Sequence, residues 1–294
     1  MPILGSRGAI SATGYGMLNR IPVVNSNLGI FALGNNTTTT NLYVWSSSVV
    51  TTATSLAQSS IFGGAAGTAT QGIFSIGSSV TTTNVYTYAT STVAAGTNLS
   101  AAMSGSTAVG NNSVGVFVLG NSTNNATLYT YASGVAAATA IGSITATIHA
   151  SAAGNASYGI ITQGNTTTNT VKYTYADNSV VNAVSLTGTT YRGIATGNAT
   201  VGVFTLGDTS FTSSATNIYT YASNSFATGT NLTRGAGDGC ATGNGTFGIF
   251  ATGNTTAFTN KYTYSSNVVA TSTNLTAVSL DGSAASDGVA GVNT

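Results

Sequence analysis

The stretch GVFVLGNSTNNATLYTYAS, Gly115 to Ser133, decides the fold, because close relatives of it occur six times in the 294-residue chain. Its first anchor is Gly-aliphatic-Phe. The copies begin at Gly29, Gly72, Gly115, Gly159 (where Ile161 replaces Phe), Gly202 and Gly248, at spacings of 43, 43, 44, 43 and 46 residues. The second anchor is an aromatic pair: Tyr43/Trp45, Tyr86/Tyr88, Tyr129/Tyr131, Tyr173/Tyr175, Tyr219/Tyr221 and Tyr262/Tyr264. It starts 14 residues after the glycine in five copies and 17 after it in the fifth, where the turn around Asp208–Ser214 is three residues longer. The third is a Leu or Ile that closes a run of small residues: Leu56, Leu99, Ile141, Leu186, Leu232 and Leu275.

Each copy spells four short extended segments. Gly-Ile-Phe-Ala-Leu is an apolar strand, and Gly-Asn with Thr or Ser supplies a hairpin turn. Tyr-Thr-Tyr puts two aromatics on one face and a threonine on the other. A Val/Ala/Thr strand and a small-residue strand such as Ala195-Thr-Gly197 complete the unit. The period is two, and Gly, Thr, Ser and Asn disfavour helix interiors, so no helix is expected. Four strands in about 43 residues is the size of a propeller blade, larger than a typical solenoid coil. Blades bury their faces only against other blades. The expectation is an all-β, six-bladed β-propeller over residues 27–294 with a short N-terminal arm, residues 1–26. Small residues let inner strands crowd the axis, and the aromatic pairs are expected to fill the wider wedges between outer strands.

The small-residue strand has seven candidates for six places. Ser11-Ala-Thr-Gly14 and Gly282-Ser-Ala-Ala285 both resemble Cys240-Ala-Thr-Gly243. The C-terminal copy follows Leu275 in unbroken register and is the favoured closing strand. The arm is then free for assembly, with Ile3, Leu4, Arg7, Ile10, Tyr15, Leu18 and Ile21 as its anchor residues.

Composition narrows the function. Charged residues are 4% of the chain and glutamate is absent, against about 25% charged in ordinary soluble domains. Six scattered cations cannot neutralise a phosphate backbone, so nucleic acid is not an expected partner. No apolar stretch is long enough for a membrane span, and membrane insertion is not expected. The N-terminus MPILGSRGAI lacks the pattern of a secretory signal.

Catalytic chemistry has little material. The single histidine, His149, lies in the alternating stretch Ile144–Ala150 and reads as a structural strand residue. Cys240 reads as a small buried hydrophobe, and one Cys with one His cannot make a zinc site. The pairs Gly207-Asp208 and Asp238-Gly239 read as turn residues bonding their own backbone, without the clustered carboxylates of a calcium loop. No enzyme activity, cofactor or metal is expected.

Met1-Pro-Ile-Leu-Gly-Ser-Arg-Gly8, followed by Ser11-Ala-Thr-Gly-Tyr-Gly16, resembles the N-termini of tailed-bacteriophage structural proteins. The GIFALGN…YTYAS…TNL repeats are similar to the kelch-like repeats of phage virion and fibre proteins, cyanophage-type ones included, but depart from the kelch pattern in lacking its double glycine except at Gly63-Gly64. The resemblance implies a virion location, an N-terminus docked on other virion proteins in many copies or as a homo-oligomer, and a propeller facing outwards. The outer face would meet a host-surface glycan or protein, or serve particle structure as a tail, fibre or head-decoration component. The alternatives are a bacterial or secreted lectin-like propeller at the cell surface and, third, a propeller hydrolase or lyase.

Overall fold

In the computed structural model, residues 28–105, 107–142 and 147–287 are described; the expected arm residues Ile3, Leu4, Arg7, Ile10, Tyr15, Leu18 and Ile21 fall outside them. The described residues form six four-stranded antiparallel sheets, the blades of a propeller. Blade 2 shows the plan. From the axis outwards it runs β4 (Ala65–Gly67), β5 (Gln71–Ser75), β6 (Thr83–Thr87) and β7 (Thr92–Ala95). Blade 1 takes its inner strand from the far end of the chain: β24 (Ser283–Ser286) pairs with β1 (Leu28–Ala32), which continues into β2 (Thr40–Val44) and β3 (Val49–Thr52). The C-terminal copy of the small-residue strand therefore closes the ring.

The first two anchors are cross-strand partners. Gly29 lies opposite Tyr43, Gly72 opposite Tyr86, Gly115 opposite Tyr129, Gly159 opposite Tyr173, Gly202 opposite Tyr219 and Gly248 opposite Tyr262. The three extra residues of the fifth copy are absorbed in its turn, and the pairing survives. A 17-residue spacing and a 14-residue spacing thus build the same register.

The glycine is required by space. A Cβ on Gly115 would lie 2.7 Å from the hydroxyl of Tyr131 and 3.2 Å from Cβ of Ala66 in the preceding blade. At Gly202 the same two directions are filled by Tyr221 and Ala153, and at Gly29 by Trp45 and Thr242. The second aromatic of each pair therefore reaches inwards over the anchor glycine, where the sequence suggested that both fill the outer wedge. The reason is the third strand's position: the residue just beyond its end faces the narrow part of the wedge, which only a glycine leaves open. The first aromatics, at most 3% exposed, do occupy the outer wedge.

The second strand of each blade is buried on both faces, so its apolar residues run consecutively; Ile30, Phe31, Ile73, Phe74, Val116 and Phe117 are wholly buried. The hydrophobic core is accordingly distributed as clusters between successive blades. The closure interface is no exception: Phe31, Leu33, Tyr43 and Trp45 of blade 1 pack with Phe247, Ile249 and Leu275 of blade 6. The third anchor sits in the link between blades. Leu56, Leu99, Ile141, Leu186, Leu232 and Leu275 are at most 4% exposed. In several copies the next residue donates its N–H to a buried asparagine on the following blade: Ala57 to Asn84, Thr187 to Asn217, Thr233 to Asn260, and across the closure Thr276 to Asn41.

Closure is completed by Leu28 and Asp287. The Leu28 N–H donates to the Asp287 carboxylate at 2.8 Å, and the Asp287 N–H donates to the Leu28 carbonyl at 3.1 Å. Elsewhere the same two bonds are made inside a short hairpin, as between Val114 and Asn111 or between Val201 and Asn198.

Candidate functional site

Just before each inner strand the chain bends towards the axis through one left-handed residue. These six are Phe62, Gly105, His149, Arg192, Asp238 and Asp281, with φ between 51° and 63°. Bulky residues rarely adopt this conformation and it costs about 1–3 kcal/mol each. The return is a belt of backbone bonds between blades. The N–H of Asp238 donates to the Arg192 carbonyl, that of Asp281 to Asp238, that of Phe62 to Asp281, and that of His149 to Gly105. The bend is thus common to all blades, but the side chains it projects are not.

Elsewhere the blades are near copies; in this slot one copy has an aromatic, one nothing, one an imidazole, one a guanidinium and two carboxyls. All six positions line a cavity of about 70 Å3 at the mouth of the central channel, with Ala65, Ala108, Ala195, Ala241 and Ala284 below them. His149, expected on a strand, lies at the bend, 12% exposed in its side chain. Asp238, expected to bond its own turn, instead accepts a hydrogen bond from Nη1 of Arg192. Asp208 does behave as a turn residue, accepting the N–H groups of Ser210, Thr212 and Ser213. Cys240 is buried in the core, where burial pushes its thiol up to about 12 and keeps it protonated at neutral pH.

The electrostatics follow from burial. Desolvation raises both Asp238 and Asp281, and the two neighbouring carboxyls influence each other. Asp238 has Arg192 beside it and remains the carboxylate. Burial, and then the Asp238 charge, push Asp281 up to about 8, so it carries the shared proton at pH 7. Burial and the neighbouring Arg192 lower His149 to about 4. It is therefore neutral, and its Nδ1, 3.8 Å from Asp238 Oδ1, is not part of an ion pair. The group sums to zero charge.

Aromatic rings hold this group on one side. The Arg192 guanidinium lies 5.1 Å from the centre of the Phe211 ring and 5.3 Å from that of Tyr191. His149 meets Tyr191 edge-on at 4.9 Å and Phe62 at 6.0 Å. Phe211 comes from the enlarged turn of the fifth copy, so the three-residue insertion there ends against Arg192. Sequence reasoning noted His149 and Asp238 separately and missed Arg192, Asp281 and Phe211. The signal was available in register: this slot is where the six copies disagree in chemical character.

No protein-family model matches the chain, and no curated protein sequence matches it. Solved structures do. TolB from Acinetobacter baumannii superposes with a TM-score of 0.60 at 12% identity, covering 94% of this chain and 71% of that one. YjhT gives 0.64 at 9% identity, over 84% and 95% of the two chains. A fungal alcohol oxidase of the AA5 family, in complex with copper, gives 0.57 at 14% identity, over 87% and 66%. At these identities the likeness is one of fold.

Proposed function

We propose that the protein is a non-enzymatic binding propeller of a tailed-phage particle, attached through its N-terminal arm and facing outwards to a host surface or a neighbouring particle protein. The observation that carries this reading is the outer surface. Among the described residues, Asp177 and Arg234 are the only exposed charged residues; the others are half-buried or buried. The outer strands present small methyl and hydroxyl groups, as in Val49-Val-Thr-Thr52, Thr92-Val-Ala-Ala95 and Val268-Val-Ala-Thr271, each with an exposed–half-buried–exposed–exposed pattern. Copies with such a surface can crowd without charge repulsion, and neutral hydroxyl-bearing partners meet no desolvated ion. The resemblance of residues 1–16 to phage structural proteins supplies the particle.

The test is antibody raised against residues 28–287. Gold-labelled antibody should decorate the surface of intact particles from the source lysate. Finding the protein only in the particle-free fraction would overturn the reading.

A further inference from the structure

The outermost strand of blade 3, β11 (Val135–Ala140), differs from the other five outer strands in length. It runs six residues where the others run four. The cause is in the sequence: Ile141 follows Tyr131 by ten residues, while its counterparts follow their second aromatic by eleven. One residue fewer removes the bend before the anchor, and the strand runs straight into Ile141. The Ile141 N–H donates to the Asn124 carbonyl at 2.9 Å, in register with the pairing of β11 to β10 (Asn125–Thr130). Alternation then turns the N–H and C=O of Val135, Ala137 and Thr139 towards β10, and those of Ala136, Ala138 and Ala140 away from the ring. On a four-residue outer strand such as Thr92–Ala95 only Val93 and Ala95 face outwards in this way.

This edge is also unguarded. Sheet edges are ordinarily protected by charge, proline, a bulge or shortness, and Val-Ala-Ala-Ala-Thr-Ala has none of them. From Leu28 to Val171 the sequence holds no Asp, Glu, Lys or Arg. By contrast, the outer strand of blade 4, Ser179–Asn182, follows the exposed Asp177. Val135 is 55% exposed, the most open of the large apolar side chains among the described residues. The edge is moreover its own complement. Laid antiparallel about Ala138, it sets Ala138 against Ala138, Ala136 against Ala140 and Ala137 against Thr139. Every outward N–H then meets an outward C=O. The facing side chains are small and uncharged, so two like edges approach without repulsion or steric conflict.

We propose that the β11 edge pairs with the same edge of a second copy of this chain, antiparallel and centred on Ala138, joining two four-stranded blades into one continuous sheet. The proposal goes beyond the particle reading and does not depend on it. The contact is short and buries less than the roughly 1,200 Å2 of stable interfaces. A Kd of about 0.1–1 mM is therefore expected in solution, and crowded copies would strengthen it by avidity.

The test is sedimentation equilibrium of the intact protein at concentrations up to about 1 mM, where a reversible dimer is expected. Ala138→Lys and Ala138→Asp each place like charges face to face and should weaken the dimer about fivefold, with the melting transition unchanged. An equimolar mixture of the two variants should restore it. Ala95→Lys, on the edge of blade 2, should leave it unchanged. Cross-linking separates this contact from any made elsewhere on the chain. A hydrogen-bonded antiparallel pair holds its Cα atoms about 5.5 Å apart, within disulfide reach. Under mild oxidation Ala138→Cys should form disulfide-linked dimers several-fold faster than Ala95→Cys, the native Cys240 being buried. A monomer throughout that range, a dimer that tolerates both charged substitutions, failure of the mixture to restore pairing, or equal cross-linking at the two positions would each overturn the proposal.

Discussion

Phe211 faces the guanidinium of Arg192 at 5.1 Å from the ring centre, although the two residues belong to different loops of the fold. The contact exists because the fifth turn is three residues longer than its counterparts, and Asp208 fixes that turn by accepting three backbone N–H groups. Phe211 also fills the space above Gly237, where a Cβ would lie 2.8 Å from its ring.

Replacing Phe211 by alanine should therefore act locally. A cation–π contact contributes about 0.5–2 kcal/mol, and the half-buried ring adds some packing. A loss of about 1–2 kcal/mol in urea unfolding is expected, with the slope unchanged. A collapse of the whole transition would show that the long turn is part of the ring's framework.

The anchor glycines make a sharper prediction. Gly115→Ala pushes a methyl group into the Tyr131 hydroxyl and Ala66, and should destabilise by about 1–3 kcal/mol. The Tyr131 hydroxyl itself is buried without a partner. Tyr131→Phe alone should be neutral or mildly stabilising, since an unpaired buried hydroxyl opposes folding. The double variant should recover part of the glycine defect. Additive losses in the double-mutant cycle would refute the contact.

The axial carboxyls give the stability a pH slope. Asp281 holds its proton in the folded state up to about 8, against 3.8 in the unfolded chain. Its contribution is complete below the unfolded value and is lost as pH rises through the folded one. Asp238, raised by the same burial, acts in the same direction, while Arg192 moderates both. His149 works oppositely: lowered to about 4 from 6.5, it opposes folding as pH falls below 6.5. The two effects counter each other between about pH 4 and 6.5. Above that only the carboxyl effect remains, so the melting temperature should fall by a few degrees between pH 6.5 and 9. Asp281→Asn should flatten that decline, and an unchanged slope would show that the shared proton is absent.

Asp287→Ala leaves the Leu28 N–H, which is buried, without its acceptor. An expected loss of about 1–3 kcal/mol follows from the orphaned donor. Asp287→Asn, which restores the amide chemistry used at Asn111 and Asn198, should recover most of it. Scanning calorimetry on the two variants distinguishes this from a charge effect, since a charge effect would make both equally unstable.

The fold was legible because the anchors are spaced by pairing geometry. Gly115 and Tyr129 are cross-strand partners, and a chain that keeps that distance in five copies and lengthens only the turn in the remaining one declares six hairpins. The inward reach of Tyr131 was less legible, since period-two alternation gives a side chain's face but not which neighbour fills the glycine's missing Cβ. The site was hidden by the same regularity. Arg192, Asp238 and Asp281 lie 43 to 46 residues apart in sequence and meet only because the blades close in a circle; no local motif joins them. His149 sat in a stretch whose alternation imitates a strand, while its bend is imposed by bonds to Gly105 and by the channel.

The pairing of β24 with β1 sets a clock on biosynthesis. Blades 2 to 6 each have all four strands in consecutive sequence and can form as they leave the ribosome, at about 5–20 residues per second. Blade 1 is made first and finished last. Until Ser283–Ser286 has emerged, the inner edge of β1 is an unpaired template, open to the equivalent strand of another growing chain. The growing chain must keep that edge free for as long as it takes to synthesise five blades. A neighbour's β24 arriving first would produce a strand-exchanged pair of rings, so polysome spacing and expression rate, not only sequence, should determine how much of the protein emerges as a closed monomeric ring.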